Sequence, residues 1–293
     1  MDSALQQQLI AGIRDGSIVP YLGAGALRGS VAVSGGEPIP ADSDSLIHAI
    51  NNGSPMAPKL MYEFPRAAMN LELKKGRSYI TRTLNKIYSE TEWTRAPLHD
   101  LLAGIKPHYI VDINRDTQLQ DSYADTPHTL IVGLSRLGAT QYRFRIFSYT
   151  DGTYSETTQE AVDPALPILF KPMGTPRPEP IFVASDADYV DYITELMGGF
   201  AIPSFLKEYR IGKQYLFLGL RMQRDTERMV LSDIMYGAGS PSAWALIAEP
   251  NAKERRFCKK MGIEIIESDI DSLIAGATSI IEEAAEETML VGC

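Results

Sequence analysis

The sequence is short of the residues that metal centres and covalent frameworks require. It has two cysteines, Cys258 and Cys293, among 293 residues. Two thiols alone build neither a tetrahedral zinc site nor a disulfide framework. Basic charge is also scarce: 28 Lys and Arg stand against 37 Asp and Glu, a net charge of −9. That balance argues against broad nucleic-acid or anionic-membrane binding, so neither is expected as a partner. No apolar run approaches the roughly 18 residues of a membrane span, and no signal-peptide pattern opens the chain. A cytoplasmic protein is therefore expected. The terminal Met-Leu-Val-Gly-Cys lacks the residues that follow a prenylated cysteine. No internal repeat is found. The Glu-rich stretch 282–287 reads as a solvated helix face, so no metal site is expected there.

What remains is an ordinary folded composition, 44% apolar and 22% charged, in a chain long enough for a large α/β domain. Leu5, Leu9, Ile10 and Ile13 mark one face of a first helix that ends at Asp15-Gly16. Short apolar runs at 18–22, 109–113, 129–132, 168–170, 215–220, 244–248 and 263–266 read as strands. Residues 142–158 alternate around Asp151-Gly152, a strong hairpin signal. Helices are expected at 98–102, 186–197, 225–235 and 270–289. The Gly- and Pro-rich segment 28–45 reads as a mobile loop. Residues 45–95 carry helical patterns, broken at Asn51-Asn52-Gly53 and near Pro65, clearest from Arg77 to Tyr88. The rhythm predicts one α/β domain over 1–293 with a doubly wound, mainly parallel Rossmann-like sheet, and a helical insert at 45–95 above its carboxyl edge.

Candidate site residues cluster at predicted strand ends, the edge where open α/β sheets bind ligands. Gly23-Ala24-Gly25 can bring backbone N–H groups against a phosphate, though an ordinary tight turn looks the same. Asn114 and Asp116 follow the second strand, Met173 and Gly174 follow another, and Gly219, Arg221 and Asp225 follow a later one. His99 lies on a short helix, where a structural role outweighs a catalytic one. His108 precedes a strand, and His48 and His128 have loop-like surroundings.

Together these segments resemble the sirtuin-like domain family, in its bacterial NAD-hydrolase branch associated with antiphage defence, from about residue 15 to 270. The Gly-Ala-Gly-x-Ser turn of that branch is matched by Gly23-Ala24-Gly25-Ala26-Leu27, and its His-x-x-Leu helix by His99-Asp100-Leu101-Leu102. Thr-Thr-Asn-x-Asp is matched by Asp112-Ile113-Asn114-Arg115-Asp116, and Lys-x-His-Gly-Ser by Lys171-Pro172-Met173-Gly174-Thr175. An Asp-Tyr pair follows as Asp188-Tyr189, and Leu-Phe-x-Gly leads through 216–219 to Arg224-Asp225. The paired-cysteine zinc module of the deacetylase branch is absent from the sequence.

The resemblance implies a pocket for NAD or ADP-ribose, bound through Gly23, Ala24, Gly25, Asn114, Asp116, Gly174, Gly219 and Asp225. It gives Asn114 the task of positioning water and ribose, and gives a histidine the task of a base. Met173 occupies the histidine position, and a thioether cannot carry that proton. Leu27 also replaces a serine hydroxyl. Asp112 replaces a threonine and would repel a diphosphate at ~5 Å by roughly 3 kcal/mol per charge pair unless Arg115 or a cation offsets it. The favoured expectation is a binding protein for a ligand or a protein partner that has lost NAD hydrolysis. The alternatives are an active NAD glycohydrolase or ADP-ribosyl-transferring enzyme using Asn114 with His99 or Asp116, and an assembly protein with a vestigial pocket. An oligomer is compatible with each.

Overall fold

A computed structural model describes residues 1–136 and 140–277. Its eleven strands are β1 (Ile18–Leu22), β2 (Tyr109–Asp112), β3 (His128–Gly133), β4 (Phe144–Thr150), β5 (Thr153–Thr157), β6 (Ile168–Lys171), β7 (Gly174–Thr175), β8 (Ile181–Phe182), β9 (Gln214–Leu218), β10 (Ala243–Leu246) and β11 (Ile263–Ile266). Nine of them form one sheet in the order β11-β10-β9-β1-β2-β6-β3-β4-β5, while β7 and β8 pair separately. All neighbours from β11 to β3 run parallel, and only the β3-β4-β5 edge is antiparallel. The expected α/β, mainly parallel Rossmann-like architecture is present.

Parallel strands covered on both faces should be apolar at every position, not at alternate ones. β1, β2, β3, β6 and β10 are buried throughout. Alternate residues feed two cores. Val19, Tyr21, Tyr215 and Phe217 enter one, while Ile18, Leu22, Leu216 and Leu218 enter the other. Asp151 and Gly152 take φ of +50° and +81°, the left-handed pair that a tight hairpin requires.

The helices are α1 (Ser3–Asp15), α2 (Ser43–Ile50), α3 (Phe64–Lys75), α4 (Arg77–Asn85), α5 (Pro97–Ile105), α6 (Gln118–Ser122), α7 (Asp186–Met197), α8 (Ser204–Tyr209), α9 (Asp225–Ile234) and α10 (Ala252–Met261). Between β1 and β2, residues 43–90 hold only helices and turns. They carry their own apolar cluster, with Leu46, Ile47, Phe64, Leu71, Ile80 and Leu84, which reaches Leu27 and Phe182. Pro65 starts α3 instead of breaking a helix, because proline is tolerated in a first turn. The 28–45 segment is pinned by bridges of Val31 to Pro38 and Ala32 to Trp93. His128 lies within β3, fully buried, bonded to the Thr126 carbonyl and Tyr154 hydroxyl at 2.8 Å each. His48 lies in α2, so neither histidine is on a loop. Residues 270–277 are helical; the rest of the helix expected to 289, and Cys293, lie outside the described residues. No helix among the described residues is long and apolar enough to cross a membrane.

Candidate functional site

β1 lies between β9, which leads to one half of the sheet, and β2, which leads to the other. The crevice beyond such a switch point is where open α/β sheets receive ligands. β1 ends in a 3₁₀ turn, Ala24–Leu27. Gly23 N donates to Leu218 O, Gly25 N to Gly219 O and Ala26 N to Gly23 O, each at 2.9 Å. A Cβ on Gly25 would lie 2.8 Å from Gly219 Cα, and one on Gly219, whose φ is +71°, 2.4 Å from Ala26 N. These glycines let the ends of β1 and β9 close on each other. Three of the turn's N–H groups are thereby engaged inside the protein.

Beneath the turn lies a buried ion pair. Asp112 and Lys171, on adjacent strands β2 and β6, meet at 2.5 Å, and both side chains are 0% exposed. The other Asp112 oxygen accepts from Asn114 N at 2.9 Å and Asn114 Nδ2 at 3.0 Å, and Gly23 O accepts from the same Nδ2 at 2.9 Å. Both amide protons face acceptors, which sets the orientation of the amide. Among the described residues nothing donates to Asn114 Oδ1, so this carbonyl is the amide's remaining acceptor. Lys171, not Arg115, pairs with Asp112. Arg115 instead lies 4.9 Å from the Phe64 ring centroid and donates to Val183 O and the Tyr189 hydroxyl.

Above Asn114 opens a cavity of about 700 Å³. Its floor includes Ala24, Gly25, Asn114, Met173 and Gly219. Glu63 and Phe64 at the start of α3, Arg224 just before α9, and Thr226 and Glu227 in its first turn line it as well. So do Glu249, beyond β10, and Asp269, beyond β11. Met173 is 3% exposed. No histidine lines the cavity among the described residues. Burial pushes the Glu227 carboxyl up to about 7; Glu63 adds to this, and the Arg224 N–H, Arg224 and Arg228 oppose it. The Thr226 hydroxyl donates to Glu63, tying α9 to the start of α3.

The structure thus brings Ala24, Gly25, Asn114 and Gly219 to one cavity, with Gly23 directly behind as a partner of Asn114. Gly174, Asp116, Asp225 and His99 are not on its wall. Gly174 has φ +90°, and a Cβ there would lie 2.1 Å from Ile181 O, so the β7–β8 pair accounts for it. Asp116 is buried; one oxygen accepts from Gln118 N at 2.8 Å and the other has no partner among the described residues. Burial raises its carboxyl to about 6 against the pull of Lys171. Asp225 projects into solvent and pairs with Arg228, because its neighbours Arg224 and Glu227 occupy the cavity side of the helix. His99 is 0% exposed with neither ring nitrogen bonded among the described residues, and burial holds its imidazole down to about 4.

Glu63, Glu227 and the pairing of Lys171 with Asp112 escaped the sequence reading. The pair had a signal, two charged residues closing apolar strand runs. Helix α10 also escaped, although Asn251 and Glu254 spell a capping box and Gly262 a left-handed stop.

Comparison with curated proteins finds no match. The family model of the SIR2-like domain matches residues 108–266, more than half of the chain and every sheet strand from β2 onward. The protein belongs to the SIR2-like domain family.

Proposed function

We propose that this protein binds a nucleotide of the NAD or ADP-ribose type at the β1–β9 switch point, and that it acts through that ligand or a protein partner, not as an efficient NAD hydrolase. The observation that carries the reading is Met173, buried and lining the same cavity as Asn114. A general base contributes on the order of 10²–10⁴ in rate, and a thioether cannot supply it. Binding capacity is supported by a cavity within the usual ligand-site range. The open Asn114 carbonyl suits a ribose hydroxyl or a water. Glu249 and Asp269 offer further hydroxyl acceptors at strand ends.

One observation favours a second reading, an active NAD glycohydrolase or ADP-ribosyl transferase of the bacterial antiphage type. Glu227 lines the same cavity with a carboxyl raised to about 7, the range a general acid or base needs. It is a better candidate than His99 or Asp116, which do not reach the cavity.

Nicotinamide release from NAD by wild type, Met173→His, Asn114→Ala and Glu227→Gln separates the two, with mass spectrometry of co-purified nucleotide alongside. The binding reading expects nucleotide retention, negligible wild-type turnover and a gain in Met173→His. Robust wild-type turnover lost in Asn114→Ala and Glu227→Gln would overturn it in favour of the second. Absence of any nucleotide binding would leave an accessory or assembly role through the helical insert.

A further inference from the structure

Four arginines line the cavity among the described residues: Arg28, Arg115, Arg221 and Arg224. Arg28 pairs with Asp271 at 3.1 Å in solvent. Arg115 is buried and committed to Val183 O and Tyr189. Arg224 lies over the Tyr62 ring at 4.3 Å. Arg221 differs. Its Nε and Nη2 donate to Glu254 at 2.9 and 3.3 Å, and Glu254 is 0% exposed. That carboxylate is itself fixed, because it accepts from Asn251 N at 3.0 Å in the cap of α10. No partner is found for Arg221 Nη1 among the described residues, and the side chain is 53% exposed. One edge of the guanidinium is thus held by a buried anchor and the other is open at the cavity, two residues beyond Gly219.

The turn after β1 lines the same cavity, but three of its donors are spent. The N–H groups of Gly23, Gly25 and Ala26 are engaged, and Leu27 brings no hydroxyl. With those donors spent, a side chain is the better-placed partner for an anionic ligand. A guanidinium fork held in place recognises phosphate oxygens with little loss of conformational freedom.

We propose that Arg221, anchored by Glu254, receives the phosphate of the nucleotide bound in this cavity. The assignment rests on the nucleotide-binding reading above and narrows it to phosphate esters. Free nucleosides should bind weakly.

Titration calorimetry of the full chain with ADP-ribose, AMP and adenosine tests this, at low salt and at about 0.5 M salt. Wild type should prefer ADP-ribose and AMP to adenosine and lose that preference at high salt. Arg221→Gln should weaken ADP-ribose and AMP about 10- to 100-fold, the scale of a charge-assisted hydrogen bond, and change adenosine by less than about 3-fold. Because Arg221→Gln leaves the buried Glu254 charge unpaired, the double variant Arg221→Gln/Glu254→Gln serves if the single one fails to fold. Unchanged ADP-ribose binding in a folded variant would overturn the assignment and leave the nucleotide reading intact. Equal loss for adenosine would show a merely structural arginine. Wild type that binds none of the three would remove the nucleotide reading, and the assignment with it.

Discussion

Replacing Lys171 by methionine removes the only cation in contact with Asp112 among the described residues. At 2.5 Å and an effective dielectric near 20, the attraction is about 7 kcal/mol. Desolvating both ions opposes it by several kcal/mol each, so the pair's net contribution is small. The cost of breaking it is not small, because the variant must bury an unpaired carboxylate. Lys171→Met should lower stability by about 3–5 kcal/mol, or about 6–20 °C in melting temperature for a chain of this size. The damage should reach the cavity, since Asp112 accepts from both Asn114 N and Nδ2. Adding Asp112→Asn removes the stranded charge and keeps a carbonyl acceptor for Asn114. The double variant should therefore return to within about 2 kcal/mol of wild type. Urea unfolding of wild type, both single variants and the double variant closes the cycle. A single-variant loss below about 1 kcal/mol, or a double variant as unstable as the summed singles, would refute the buried-pair argument.

Three further outcomes are expected. Glu227 has its carboxyl raised from 4.5 to about 7, so between those values the unfolded chain has released a proton that the folded one keeps. Stability should therefore fall as pH rises through this window, by about 2 kcal/mol after allowing for partial exposure, and Glu227→Gln should flatten the slope when urea midpoints are compared at pH 5 and 8. His99 has its pKa lowered from 6.5 to about 4, so its share of stability is present above 6.5 and is lost as pH falls towards 4. His99→Leu removes two unbonded buried nitrogens; it should be neutral or stabilising by up to about 2 kcal/mol in thermal melts and leave nucleotide affinity unchanged, whereas a loss of affinity would return His99 to the site. Gly219→Ala places a Cβ 2.4 Å from Ala26 N at a φ of +71°, so a loss of about 2–4 kcal/mol is expected, and an unaltered melting curve would contradict the close packing of β1 on β9.

Much of the fold was legible because it is written in local chemistry. Uninterrupted apolar runs such as Tyr215–Leu218 declare strands buried on two faces, and Asp151-Gly152 declares a hairpin by the dihedrals those residues tolerate. Helix α4 announced itself by helical spacing from Arg77 onward. Which residues line the cavity was legible only in part. Gly25, Asn114 and Gly219 meet because strand ends converge, a consequence of the α/β pattern. Asp225 and Arg224 are neighbours in sequence, yet only the phase of α9 against the sheet sends one to solvent and the other to the cavity.

The order of the strands was beyond local reading. Nothing near β6 says that it slips between β2 and β3, yet that placement sets Lys171 against Asp112, 59 residues away. The chain's residues dictate period, turns and which strands must be buried, since those depend on side-chain size, polarity and dihedral freedom over a few positions. Whether a glycine turn offers its N–H groups to a phosphate or to β9, and whether an aspartate repels a ligand or meets a lysine, depends on what is packed beside it. Burial removes water as the alternative partner, so Asp112 and Asn114 take the donors and acceptors that the assembled sheet brings within about 3 Å. That neighbour exists only in three dimensions.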